Sequence, residues 1–291
     1  MRKKLAAILL FAAFLSQGPA STDLLKRIEI AKSFYDTRDF NEAASEYRRG
    51  ALFSDKREDK AALLLLAADA YREEGDWLRM GMMLDDAEEL EVENTSAAFP
   101  YQWLRMAQEE GGKQWASAAV WGESAIEAAT GNDVAEYLTR GVIADYLLAA
   151  NISEAIDLAD GTGNSALSEK VSNYAKGKDK SPFIGGLLGI IPGMGYAYSG
   201  EYGNMLRSLL LNGIFGWAMI ATAEDEEWAV FSVATFFELT WYTGSIYGGI
   251  DAAHRYNKNR LDETLRDIRG PSAPVLRTKA IAPILELRLG F

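Results

Sequence analysis

The sequence predicts an all-α chain, a helical-repeat solenoid followed by a small transmembrane helical domain. Two observations carry this expectation. A pattern of bulky and small residues returns every 37 or 38 positions through the first half, and a Gly-rich, strongly apolar block runs from Pro182 to Ile250. The expected boundaries are residues 1–20 as an export signal, 22–175 as about four helix pairs, 176–182 as a linker, 183–262 as the membrane domain and 263–291 as a tail.

The export signal comes first. Arg2, Lys3 and Lys4 precede an apolar run from Leu5 to Leu15, and Gly18-Pro19-Ala20 supplies the small residues that a signal peptidase reads, so cleavage is expected after Ala20. The apolar run is shorter than the roughly 20 residues of a full span. An uncleaved anchor is the alternative, and either form directs export. Loss of the three cations moves the net charge from -12 to -15.

Composition excludes several classes. The absence of cysteine removes disulfides, thiolate metal sites, thiol nucleophiles and a lipidated cysteine anchor. Residues 21–175 carry 15 basic against 30 acidic groups, whereas residues 176–291 carry 12 of each. Such an acidic half argues against nucleic acid, whose binding needs Lys and Arg on phosphates. There is no HExxH or GxSxG motif, and His254 is the only histidine, so no catalysis, cofactor or metal is expected. The pair Asp251 and His254, one helical turn apart, is a weak metal or proton-relay candidate.

The repeat elements follow from the turn between paired helices. Phe40, Trp77, Trp115 and Ile152 recur at spacings of 37, 38 and 37; three residues on stand Ala43, Met80, Ala118 and Ala155, and seven on stand Tyr47, Leu84, Gly122 and Ala159. Small residues at these positions let two helices approach closely while neighbouring pairs bury a continuous core. The pattern resembles the tetratricopeptide repeat, or a Sel1-like variant of it, although the period is longer and the closing proline is missing. That resemblance implies a concave surface that binds a protein segment. Asp85, Asp86, Glu88, Glu89, Glu91 and Glu93 form an acidic run that reads chiefly as a solvated helix face.

After Gly161-Thr162-Gly163-Asn164 a short helix is expected over 165–176, and Lys176, Lys178 and Lys180 lead into the apolar block. Within the block, Phe183–Tyr198 is Gly/Pro-rich, Met205–Ala223 is a 19-residue apolar stretch, and Trp228–Ile250 a 23-residue one; the last two reach the length of a spanning helix. The glycine spacing fits neither a dinucleotide fingerprint nor a P-loop. Close helix packing, with a kink or re-entry at Pro192, is the reading kept.

Pro192, Gly193, Gly195, Tyr198 and Gly200, with Asn212 and Asp251 further on, resemble the PGxGxxYxG signature of the bacterial two-transmembrane-helix domain family over residues 181–260. Tyr196 stands where that family more often has Gln. The resemblance implies a membrane domain and little about function.

Basic residues flank the block on both sides, Lys176 to Lys180 before it and Arg255, Lys258 and Arg260 after it, around an acidic loop Glu224–Glu227. Two crossings would place both flanks, and the repeats, in the cytoplasm. Three crossings, with Phe183–Tyr198 as the first, reconcile the export signal with the charges, and re-entry of that segment is the rival. Arg207 and Glu238 are the candidate polar pair between the spans. The last seven residues, Leu285 to Phe291, alternate strictly as a strand would, a pattern suited to strand addition or outer-membrane targeting or to an unstructured end.

The whole predicts an exported scaffold of the bacterial cell envelope, anchored in membrane lipid with its repeats in the periplasm. The repeats would bind a protein partner within an envelope complex. The alternative is a transport or assembly component acting through its membrane domain, and a carboxylate-based enzyme is the weakest reading.

Overall fold

The computed structural model describes residues 19–92, 95, 97–129 and 131–270. The export signal up to residue 18, Glu93 and Asn94 of the acidic run, and the tail beyond Gly270 lie outside the described residues. Among the described residues every regular element is a helix, thirteen in all, and no strand occurs. The chain divides into two compact units, Met1–Ser168 with Ile268–Phe291, and Glu169–Asp267.

The first unit holds α1 (Pro19–Thr37), α2 (Phe40–Phe53), α3 (Arg57–Glu74), α4 (Trp77–Glu88), α5 (Ala98–Gly111), α6 (Trp115–Ala128), α7 (Asn132–Leu148) and α8 (Ile152–Gly161), and the boundary falls inside α9 (Ser165–Lys176). Each of α1 to α8 packs on its neighbour in sequence, and α3 also touches α5. The core is built from the small and bulky residues that the sequence pattern marks: Ala43, Met80, Ala118 and Ala155 are fully buried, as are Leu84 and Ala159. At Gly122 a Cβ would collide with Val142, so the α6–α7 approach depends on its absence.

One turn recurs with the same geometry. Arg38, Gly75, Lys113 and Ala150 all adopt the left-handed conformation. The N–H that follows each donates to the carbonyl five residues back: Asp39 to Phe34 (2.8 Å), Asp76 to Tyr71 (2.9 Å), Gln114 to Glu109 (2.8 Å) and Asn151 to Tyr146 (2.9 Å). This closure satisfies the last carbonyls of one helix, and the next helix starts at once with Phe40, Trp77, Trp115 or Ile152. Glycine occupies the left-handed position in only one of the four. Because a side chain there costs on the order of 1 kcal/mol, Lys113→Gly and Ala150→Gly are each expected to stabilise the first unit by about that much, and Gly75→Ala to destabilise it similarly, as read by denaturant midpoints.

The second unit holds most of α9, then α10 (Pro182–Leu188), α11 (Met194–Tyr198), α12 (Tyr202–Glu224) and α13 (Trp228–Arg269). The same left-handed closure appears twice more, at Gly200 before Tyr202 and at Glu226 before Trp228. Two expectations need correction. Phe183–Tyr198 is two helices of 7 and 5 residues joined by a turn at Pro192-Gly193, about 10 and 8 Å long, far short of the ~30 Å of a bilayer core. It does not cross as a helix. The expected boundary at residue 262 also falls within a helix, because α13 runs unbroken for 42 residues to Arg269.

Candidate functional site

In the first unit a chain of buried polar groups joins the first helices of successive pairs. On α3, Asp69 is 1% exposed; it accepts a 2.5 Å hydrogen bond from Tyr35 of α1 and two from Arg72, at 3.0 and 2.8 Å. Burial pushes the Asp69 carboxyl up, and the Arg72 guanidinium opposes that shift. Arg72 also lies over the Trp103 ring of α5, 5.0 Å from its centroid. Further along, Asp145 of α7 is fully buried, close enough to Glu110 of α5 to feel its charge, with Arg269 3.4 Å from its Oδ1. Burial, then the charge of Glu110, pushes Asp145 up to about 8, and burial raises Glu110 as well. Asp145 Oδ2 has no donor among the described residues. Two neighbouring buried carboxyls oppose each other's ionisation, so burial and mutual charge both favour the protonated form. Asp145 sits inside the apolar run Val142-Ile-Ala-Asp-Tyr-Leu-Leu148, and that misfit was the one sign of it in the sequence.

A second network surrounds Arg105, which donates to Tyr101, Asp85 and Glu88 at 3.0, 2.7 and 2.7 Å. Two of the six acids in the run are thereby tied to one cation. Between α2, α3 and α4 lies a cavity of about 450 Å³, with Leu52 and Leu64 as apolar lining and Arg48, Lys60, Asp86 and Glu89 as charged lining. The N-cap of α4 is Asp76, whose carboxylate accepts from the Arg79 N–H at 2.9 Å; Asp76→Ala is expected to cost about 1 kcal/mol of stability in thermal or urea unfolding.

In the second unit the exterior is apolar. Ile214, Trp217 and Ile220 on α12 are 57%, 71% and 62% exposed, and Val233, Phe236 and Leu239 on α13 are similarly open. Among the described residues one helix, Tyr202–Glu224, is long and apolar enough to cross a membrane; its mean hydropathy is 1.3. Trp228–Ile250 has the length, but Glu238 and its neighbouring Trp, Tyr and Thr residues keep its hydropathy lower. Phe215 and Phe237 stack between the two helices at 5.5 Å.

Glycines close the inner face of this unit. A Cβ at Gly185 would strike the Gly249 carbonyl oxygen, one at Gly195 would lie 2.6 Å from the Gly249 Cα, and one at Gly189 would lie 2.7 Å from the Ile246 Cα. Above this contact sits a polar collar. Arg255 donates to both oxygens of Glu201 at 2.8 Å and also pairs with Asp251; the hydrogen bond to Arg255 holds Glu201 below the usual carboxylate range. The segment expected to be a linker is fastened: Lys180 N–H donates to Asn257 Oδ1 (2.7 Å), Asn257 Nδ2 donates to the Lys180 carbonyl (2.9 Å), and Arg260 donates to the Tyr174 carbonyl (2.7 Å) and to Asp179.

The residues singled out in the sequence fall as follows. Phe40 meets Tyr35 edge-on at 5.2 Å, Trp77 covers Gly111, and Trp115 is half-buried. Pro192 is at the hairpin turn, Gly193 is left-handed beside it, and Gly200 is the left-handed residue before α12. Tyr198 Oη accepts from Ser181 N–H at 3.1 Å. Asn212 is buried, donates to the Ser208 carbonyl at 2.7 Å, and leaves its Oδ1 without a partner among the described residues. Arg207 and Glu238 do not pair: Arg207 reaches Asn204 at 3.5 Å, while one Glu238 oxygen is buried without a partner among the described residues. Asp251 turns to Arg255, leaving His254 exposed, and no metal-binding group of three or more such side chains occurs among the described residues.

The chain matches no protein-family model, and no curated protein or solved structure is similar to it.

Proposed function

We propose that this protein is an exported, membrane-anchored scaffold of the bacterial cell envelope. Its helical hairpins form a repeat solenoid of the tetratricopeptide kind that binds a protein partner at its concave face. The observation that carries this reading is the open apolar exterior of α12 and α13, which covers far more surface than a water-exposed unit tolerates. The four identical turns support the solenoid.

With α12 and α13 crossing, the collar supports an even number of crossings. Lys180 and Asn257 are hydrogen-bonded, so both ends of the block lie on one side of the bilayer and two crossings replace three. The basic collar taken alone would put that side in the cytoplasm, but the first topogenic segment usually dominates and large domains translocate regardless of charge. The repeats and the C-terminal end of α13 are therefore periplasmic, and the acidic loop is cytoplasmic.

The second reading, a transport or assembly component acting through the membrane domain, draws on the unpartnered Asn212 and Glu238 oxygens within apolar helices. A photo-crosslinking residue placed at Leu52 or Leu78, exposed on the repeats, should capture one discrete partner in intact cells, and Glu238→Gln should leave that capture and the cellular phenotype unchanged. Loss of the phenotype with intact capture would favour the membrane-domain reading; capture only from Ile214 would remove the scaffold.

A further inference from the structure

Residues 181–200 contain no Asp, Glu, Lys, Arg or His, and the short helices they form turn an apolar surface outward. Phe183 is 77% exposed, Leu187 56% and Ile191 59%. Their course along α13 is fixed by contacts within the second unit. The segment starts at the level of Asn257, where the Lys180 backbone is held at both its N–H and its carbonyl. It passes Gly249 at Gly185 and reaches Ser245 and Ile246 at Gly189. At the turn the Gly193 N–H donates to Ser245 Oγ at 3.0 Å. The return passes Gly249 again at Gly195 and ends at Glu201, paired with Arg255.

The segment thus descends from residue 257 of α13 to residue 245 and climbs back to 255. Ile250 is the last residue of the apolar stretch of α13, so the turn lies five residues deeper, about 8 Å along the axis. We propose that α10 and α11 form a re-entrant hairpin seated in a single leaflet of the bilayer, on the side of the Lys180–Asn257 contact, with Phe183, Leu187 and Ile191 against the acyl chains. The proposal rests on the reading of α12 and α13 as membrane-spanning.

Three features fit this occupant. Irregular backbone at membrane depth must have its polar groups satisfied by protein. Ser245, 2% exposed, does this for the Gly193 N–H at the deepest point. The exposed apolar residues of the hairpin are followed in the chain, beyond Glu201, by those of α12. Charge is confined to the entrance, where Lys176, Lys178 and Lys180 stand, and Lys180 Nζ lies 4.7 Å from the Tyr198 ring centre and 5.4 Å from that of Tyr256, the aromatic and basic pairing suited to a headgroup layer.

Because the chain has no cysteine, single cysteines can report depth directly. Lys178→Cys, Leu187→Cys, Ile191→Cys and Ile214→Cys in the full chain, spin-labelled and reconstituted in phosphatidylcholine–phosphatidylglycerol vesicles, would be compared for collision with oxygen and with a water-soluble nickel chelate. Labels at 187 and 191 should favour oxygen, at a depth between the aqueous label at 178 and the central label at 214. Nickel access at 187 and 191 equal to that at 178 would overturn the hairpin, as would shielding from both reagents, which would mean a protein cover. A label at 214 in water would remove the membrane-spanning reading itself, and the hairpin with it.

Discussion

Alanine at Gly249 or Gly185 is expected to unfasten the second unit, lowering its stability by more than about 2 kcal/mol, the range of overpacking a closed contact. The reason lies in what each new Cβ would meet. At Gly249 it would strike the Gly185 carbonyl oxygen, and at Gly185 the Gly249 carbonyl oxygen. Backbone atoms cannot rotate away as a flexible side chain can, so α10 would have to part from α13. Gly213 and Gly216 on α12 serve as controls, since open space surrounds both. Alanine there should be neutral or should stabilise by up to about 1 kcal/mol, the ordinary gain of Ala over Gly within a helix. Thermal unfolding of the full chain in detergent, with hydrogen exchange read at α10 and at 245–250, separates the two classes. Equal effects at all four glycines would mean that the Gly185–Gly195–Gly249 contact does not hold the hairpin.

The second large effect concerns pH. Asp145 is raised to about 8 by burial and by Glu110, well above its ordinary value near 4. Between those values the folded state holds a proton that the unfolded chain has released, so the contribution to stability is complete below about pH 4 and is lost as pH rises through about 8. This direction is opposite to that of a carboxylate held by an ion pair. Arg269 opposes the shift of Asp145, and Arg269 and Arg72 oppose that of Glu110. At about 1.4 kcal/mol per pKa unit, stability should fall by up to about 3 kcal/mol from pH 5 to pH 7.5 through this pair alone. Asp145→Asn keeps the shape and removes the titration. It should match the parent near pH 4 and exceed it in unfolding temperature at pH 8, with Glu110→Gln behaving alike. Parallel pH profiles for parent and variants would show that the pair holds no extra proton.

The contrast between these two sites shows what the sequence could reveal. The helix starts were legible, since Phe40, Trp77, Trp115 and Ile152 each open a helix and Ala43, Ala118 and Ala155 are fully buried. The left-handed conformation of the turn before them was not, since Arg38, Lys113 and Ala150 occupy positions that composition associates with glycine. Pro192-Gly193 correctly marked a break in the apolar block, and Phe183–Tyr198 is two short helices, not one crossing helix. The contacts that hold this segment join Lys180 to Asn257 across 77 residues, and no local periodicity records such a pair. Arg207 and Glu238 were expected to meet because both are charged among apolar residues; Arg207 instead reaches its own helix at Asn204, one turn away. The buried groups Asp69 and Asp145 are not legible in the sequence, because each occupies a position that the helical pattern assigns to the core and only three-dimensional packing supplies its partner.

Topology tests the central proposal most directly. Epitope tags placed after Thr22 and after Phe291 of the full chain would be followed in intact spheroplasts treated with protease. An envelope scaffold with two crossings predicts that both tags are cleaved from outside while α12 and α13 stay in the membrane fraction. Protection of one tag alone would require an odd number of crossings and contradict the Lys180–Asn257 contact, and protection of both would place the repeats in the cytoplasm and contradict a periplasmic scaffold.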